Sequence, residues 1–177
     1  MSPRKRTIDA TKGVLEIEWP FFGELSRGLA LKVARAYDPE IVIGIATAGV
    51  IPGAVIAAIL GREFHSLVVS RKFRSSTRRQ DPEVFGSAPQ EARGHRVLIV
   101  DETCDSGDTM RLAIAAVGAA GALEIKTAVA FQTGVYTPDF HAIATESTII
   151  LPWDREVLVN GELRPNPLYS DIFGLTG

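Results

Sequence analysis

One cysteine and three histidines in 177 residues leave this sequence with few metal-binding or redox side chains. Cys104 has no second cysteine to pair with, so an intrachain disulfide and a thiolate-built zinc cluster are both excluded. His65, His95 and His141 are scattered over a strand, a strand edge and a loop, at no metal-ligand spacing, and packing or surface roles are expected of them. With no histidine beside it, Cys104 reads as a spacer rather than a nucleophile, although a place near a helix N-terminus leaves it open to alkylation. A long hydrophobic run is missing as well. The longest apolar stretch, residues 50–60, is interrupted by Pro52 and Gly53 and falls short of the roughly 20 residues that a bilayer-spanning helix needs. Arg4, Lys5 and Arg6 precede no apolar segment of signal-peptide length, so residues 1–12 read as a frayed tail. Nor is there an excess of positive charge: the net charge is −2, which offers no general attraction for nucleic acid or an anionic membrane. A soluble protein in a reducing, cytoplasmic setting is expected, and any anionic ligand has to be held locally.

What the sequence does have is apolar material, 46% of its residues, enough for a single compact domain spanning residues 1–177. Pro20 suits the first turn of a helix whose stripe is Leu25, Leu29 and Val33, and which ends before Asp38-Pro39. Residues 41–46, IVIGIA, form a short run rich in β-branched residues, as in a strand covered on both faces. A helix over 49–60 ending at Gly61 follows, and then a strand over 64–69. Residues 70–94 show no sustained period, which in a compact domain suggests a lid; Arg74, Arg78 and Arg79 fit such a loop better than an RNA contact. A strand over 96–100, a helix over 109–120 and a strand over 125–131 complete a βα alternation. The expected fold class is α/β, with a mostly parallel central sheet flanked by helices and a core over about 20–133. The short segments 148–151 and 156–159 form a small C-terminal hood, about 134–165.

The chemistry is concentrated in residues 97–109, VLIVDETCDSGDT: an apolar strand, two adjacent acids, a small polar loop and a helix start. Ligands bind outside the carboxyl ends of parallel strands, and a helix beginning there offers unpaired N–H groups and the positive end of its dipole. A phosphate fits that place. Ser106 and Thr109 add hydroxyls, and Gly107 lets the backbone approach an anion with no Cβ in the way. Asp101 and Glu102 lie outside this phosphate loop and are suited to ribose hydroxyls. A helix N-terminus stabilised by one acid is common, but four acids in eight positions, Asp101, Glu102, Asp105 and Asp108, exceed what a cap requires.

This segment resembles the phosphoribosyl pyrophosphate (PRPP) motif of the type I phosphoribosyltransferases, in its apolar strand, its acid pair and its S-G-x-T ending. The resemblance implies that Asp101 and Glu102 bind the ribose hydroxyls and, indirectly, Mg²⁺ carried with PRPP. It also implies that Thr103, Cys104, Asp105, Ser106, Gly107, Asp108 and Thr109 wrap the 5′-phosphate. Thr47, Ala48 and Gly49 stand where the family has its pyrophosphate loop, with a strained or cis peptide near Thr47-Ala48. Arg71 and Lys72 stand where it places basic residues against pyrophosphate, and residues 72–93 match its flexible closing loop, whose closure excludes water from the reaction.

Pro152-Trp153-Asp154 is similar to a segment of the short microbial and archaeal 6-oxopurine enzymes, which implies stacking of Trp153 on a purine with Asp154 beside it. The same likeness makes Asp105 the catalytic group, accepting the proton that leaves the base. Gln132 departs from the pattern by standing where those enzymes present a lysine to the purine O6. Its amide donates to a carbonyl or accepts from an amino group, so the base is left open. Lys126, earlier in that strand, lies too far from the crevice to substitute. The implied partners are PRPP and a nucleobase, with no nucleic acid or membrane, in a homodimer or homotetramer. Two alternatives stand beside purine salvage: a PRPP- or nucleotide-sensing regulator on the same fold, and a transferase for adenine, uracil or orotate.

Overall fold

The computed structural model describes residues 12–70, 83–85 and 87–174. In chain order the elements are β1 (Val14–Glu16), α1 (Trp19–Ala36), β2 (Ile41–Ala46), α2 (Val50–Leu60), β3 (Glu63–Ser70), β4 (Glu83–Phe85), β5 (Arg96–Cys104), α3 (Asp108–Ala119), β6 (Glu124–Gln132), β7 (Phe140–Ala144), β8 (Thr148–Ile150), β9 (Glu156–Val159) and β10 (Glu162–Pro165), with short 3-10 turns at Gln90–Ala92 and Pro167–Tyr169. They fall into two compact units, Glu24–Thr145 and the described residues up to Gly23 together with those from Glu146. No helix among the described residues is long and apolar enough to cross a membrane.

The larger unit is built on a six-stranded sheet in the order β4-β3-β2-β5-β6-β7, parallel except for β4, which runs antiparallel to β3. Alternation along the strands sorts the apolar residues into two cores. Ile41, Ile43, Ile45, Val97, Ile99 and Val129 pack with Met110, Ala113 and Val117 of α3. Val42, Leu98, Val100 and Ala128 pack with Leu29 and Val33 of α1 and Ile56 and Ala57 of α2. Because both faces are covered, these strands read as continuous apolar runs. At the strand starts, Arg96 binds the Asp38 carbonyl (2.7 Å), and the Glu40 carboxylate accepts the Arg96 N–H (2.9 Å).

The sequence reading is short at three places. β5 runs on to Cys104, so the acid pair lies within the strand and not after it. The sheet does not stop near residue 133: β7 adds a sixth strand, and His141 lies on it rather than in a loop. Its start is pinned by side chains. The Asp139 carboxylate accepts from the Thr127 N–H (2.9 Å), the Thr127 hydroxyl (2.8 Å) and Lys126 (3.1 Å). Burial works against ionisation of Asp139, but these bonds outweigh it and hold its pKa below the usual carboxylate value. Thirdly, part of the patternless stretch is ordered: Glu83–Phe85 pairs with β3, and Ala88 and Ala92 are buried in the α3-side core. Residues 71–82 and 86, and with them Arg71, Lys72, Arg74, Arg78, Arg79 and most of the expected lid, lie outside the described residues, as does the tail before Lys12.

In the smaller unit β1 pairs parallel with β8, and β9 with β10 as a hairpin. Its turn is Asn160-Gly161, both at positive φ (52° and 84°), the geometry that matches the twist of the two strands.

Candidate active site

β2 connects through α2 to β3 on one side, while β5 lies against its other side. The chain therefore changes direction between β2 and β5, and the crevice outside their carboxyl ends is where an open α/β sheet binds ligands. Two loops meet there, the turn after β2 and the turn after β5. The first contains a cis peptide at Ala46–Thr47, one bond earlier than the sequence reading places it. Gly49 is required by contact: a Cβ there would lie 2.7 Å from Asp101 Oδ1 and from the Ile45 carbonyl, and 2.8 Å from the Val100 carbonyl. The turn after β2 is thus in direct touch with the first acid of the pair, on β5.

Asp101 is only 8% exposed, and its Oδ1 accepts the Glu102 N–H at 3.0 Å. Burial, and after it the neighbouring Glu102 carboxylate, raise the Asp101 pKa well above the usual carboxylate value. Charging both acids together is therefore costly until a cation or hydroxyl donors arrive. Glu102 is half-buried, with the Thr103 hydroxyl at 3.4 Å from its Oε1.

The turn between β5 and α3 is compact. Gly107 stands at the N-terminus of α3 with φ 82° and has no side chain to cap it; the Ser106 hydroxyl oxygen lies 3.5 Å from the Asp108 N–H, a long hydrogen bond. The first N–H groups of α3 accordingly face the turn without helical partners. The Ser106 hydroxyl donates to Asp108 (2.7 Å), and Arg111 donates to the Ser106 carbonyl (2.9 Å) and to Asp108 (3.1 Å). The segment after β6 closes over this turn: the Thr133 N–H donates to the Cys104 carbonyl (2.8 Å), and the Tyr136 N–H to that of Asp105 (3.1 Å). Asp105 itself is exposed. Gln132, the last residue of β6, is half-buried and pairs with Cys104 in the ladder, beside the head of the turn. Lys126 pairs with Leu98, well back along the strand, and is held by Asp139.

Three assignments change. The Cys104 side chain belongs to the α3-side core, so this residue lends the phosphate loop only its backbone. Burial, followed by the charges of Asp101 and Asp105, pushes its thiol up to about 11, which removes the opening to alkylation. Because the pKa is raised, thiolate is scarce at all pH values well below 11. Native protein at pH 8 should react with iodoacetamide at least about a hundredfold more slowly than the urea-unfolded chain, and equal rates would refute the burial. Asp154, expected beside a base, is a pin for the C-terminal segment. Its carboxylate accepts from the hydroxyl of the buried Tyr169 and from Asn166 Nδ2 (3.1 Å), and Asn166 also donates to its carbonyl (2.7 Å). Trp153 meets Phe22 edge-on (centroids 4.9 Å apart) and Trp19 at a tilt (5.6 Å), which anchors the smaller unit internally. Among the described residues no cluster of three or more His, Cys, Asp or Glu could hold a metal. The sequence reading passes over Arg111, Thr133, Gly134 and Tyr136; the only signals were an i,i+3 pairing of Arg111 with Asp108 and a glycine two residues past a strand.

Residues 17–160 match the phosphoribosyl transferase domain family. The xanthine-guanine phosphoribosyltransferase of Nitratidesulfovibrio vulgaris is 25% identical over 153 residues, 85% of this chain and 91% of the relative. That of Idiomarina loihiensis is 24% identical over 143 residues, covering 80% and 87%. Among solved structures, a purine phosphoribosyltransferase from Pyrococcus horikoshii has a TM-score of 0.70 at 27% identity, covering 83% of this chain and 98% of that one. The xanthine-guanine-hypoxanthine phosphoribosyltransferase of Helicobacter pylori shares the fold, with a TM-score of 0.66 at 16% identity over 80% and 94%. The family match runs through both loops of the crevice and on past Gln132, and this chain belongs to the phosphoribosyltransferase family.

Proposed function

We propose that this protein transfers the 5-phosphoribosyl group from PRPP to a purine base, most suitably a 6-oxopurine, releasing pyrophosphate in nucleotide salvage. The observation that carries this reading is the acid pair at the end of β5, set between the Gly49 loop and the uncapped start of α3 at the switch point of the sheet. A sugar phosphate has the matching shape: hydroxyls for the carboxylates, an anion for the helix N-terminus. The names of the xanthine-guanine relatives support the purine class.

In this reading the 103–109 turn receives the 5′-phosphate, Asp101 and Glu102 the ribose hydroxyls, and Thr47, Ala48 and Gly49 the pyrophosphate, joined by Arg71 and Lys72. A base nitrogen attacks C1′ as the C1′–O bond to pyrophosphate breaks, and Asp105 accepts the proton lost by the base. The chain works mainly by position and charge: it holds the nucleophile and C1′ in line and faces carboxylates toward a ribose that becomes positive. Two carboxylates with no third such ligand among the described residues suit Mg²⁺ delivered on a phosphate substrate, which keeps most of its ligands from water and phosphate; when bound it neutralises the leaving pyrophosphate. Gln132 is the candidate for the exocyclic contact. Assembly is proposed as a homodimer or homotetramer.

A panel of hypoxanthine, guanine, xanthine, adenine, uracil and orotate with PRPP and Mg²⁺, followed by pyrophosphate release, tests the proposal. Release with a 6-oxopurine is expected. Turnover with a pyrimidine alone would overturn the substrate class, and PRPP binding without release on any base would make the protein a sensor.

A further inference from the structure

The turn between β5 and α3 has little of its own to fix its shape. Its bonds between Ser106 and Asp108, from the hydroxyl to the carboxylate (2.7 Å) and from the Asp108 N–H to the hydroxyl (3.5 Å), are solvent-facing, and Gly107 at φ 82° is in a conformation that few other residues hold. Its order is supplied from outside. The segment after β6 covers it with two backbone bonds, Thr133 to Cys104 and Tyr136 to Asp105. The Tyr136 ring lies directly over Gly107, where a Cβ would come within 2.2 Å of Tyr136 Cδ2. Arg111, one turn into α3, lays its guanidinium over that ring, 5.2 Å from the centroid, and bonds the Ser106 carbonyl and the Asp108 carboxylate.

We infer that Tyr136 and Arg111 form a clamp that positions the turn for the 5′-phosphate; both are positioning residues, and the inference rests on the phosphoribosyl transfer proposed above. Charge makes the clamp necessary. Asp105 and Asp108 are exposed on the turn, so a phosphate approaching the start of α3 meets two carboxylates. Arg111 neutralises the nearer one and is itself held in place by the aromatic face, an attraction of ring quadrupole for cation. An exposed i,i+3 ion pair alone contributes little. That account leaves unexplained why the same guanidinium also binds the Ser106 carbonyl and stacks on a residue from a different loop. The backbone bonds extend the clamp to Asp105, so the phosphate turn and the loop that begins at Gln132 move as one piece.

The experiment compares Tyr136→Ala, Tyr136→Phe and Arg111→Met with wild type. It measures KM for PRPP, KM for the best base, kcat, and binding of PRPP with Mg²⁺ by calorimetry. Tyr136→Ala and Arg111→Met should raise KM and Kd for PRPP about 10- to 100-fold, since displacing a positioned group by an ångström has effects of that order. KM for the base should stay within about threefold. Tyr136→Phe, which keeps the ring against Gly107 and Arg111, should restore PRPP binding; a merely structural tyrosine would weaken both substrates together. Unchanged PRPP affinity in Tyr136→Ala, an equal loss for both substrates, or a Phe variant as impaired as Ala would each overturn the clamp while leaving the transferase reading intact. A wild type that does not bind PRPP would remove both. If Tyr136→Ala fails to fold, Arg111→Met on the exposed face of α3 carries the test alone.

Discussion

Replacing Asp105 with alanine should lower kcat by about 10²- to 10⁴-fold, the range for loss of one positioned acid–base group, while KM for PRPP stays within about threefold of wild type. The split follows from where the residue sits. Its backbone carbonyl is held by the Tyr136 N–H, so the turn keeps its shape when the side chain is removed. Its carboxylate lies against Gly134, where a Cβ would fall 2.0 Å from Oδ1, and this places it on the side of the turn that faces the loop beginning at Gln132. A group so placed serves the base more than the phosphate. Because Asp105 is exposed and lies outside both cores, the thermal midpoint should hardly move. Asp105→Asn should lose nearly as much turnover, since the amide keeps the shape but cannot take a proton. Near-normal kcat in either variant with the best base would remove Asp105 from the chemistry.

How far the sequence discloses the fold depends on what holds each element. Residues 41–46 and 96–100 are legible because helices cover both faces of the sheet, and burial on both faces writes itself as an unbroken apolar run. β7 is different. It is an edge strand whose residues after Phe140 are only partly buried, and it is docked by a side-chain knot of Asp139, Thr127 and Lys126 that leaves no periodic trace. The apolar run of β5 ends at Val100, so its pattern does not mark the strand's continuation, yet Asp101 remains in register with Val129 on β6. The β9–β10 hairpin carries a strong local signal, Asn160-Gly161 between two short strands, but the polar Glu162–Pro165 strand has no apolar run to mark it.

The site was legible where chemistry and backbone coincide. The run from Asp101 to Thr109 combines an acid pair, a glycine at a helix start and small polar residues, and the structure brings these together as a turn at the switch point. Contacts made across long separations were not legible. Nothing in the sequence says that Tyr136 lies over Gly107, or that Tyr169 and Asn166 occupy the carboxylate of Asp154. The need for Gly49 is steric: it gives room to the buried carboxylate of Asp101.

Gly107→Val should abolish PRPP binding and also destabilise the fold, for two reasons that a double variant separates. From sequence alone the glycine serves close approach of backbone to phosphate, and any side chain blocks the ligand. The structure adds a second demand. At φ 82° a non-glycine residue costs about 1–3 kcal/mol, and a β-branched one is disfavoured further. The new Cβ would also lie 2.2, 2.4 and 2.8 Å from Tyr136 Cδ2, Cγ and Cβ, so the ring must leave, at an overpacking cost of about 1–3 kcal/mol more. The sum, about 2–6 kcal/mol, corresponds to a fall in Tm of roughly 5–20 °C for a chain of this size. Adding Tyr136→Ala to Gly107→Val removes the two ring collisions, at Cδ2 and Cγ, but not the 2.8 Å approach to Cβ, the backbone strain or the obstructed phosphate. The pair should therefore be non-additive in stability, recovering a good part of the lost Tm, while PRPP binding by calorimetry stays absent. Binding by the double variant at the level of Tyr136→Ala alone would mean that the valine acted only by displacing Tyr136, and that the backbone at Gly107 never touches the anion.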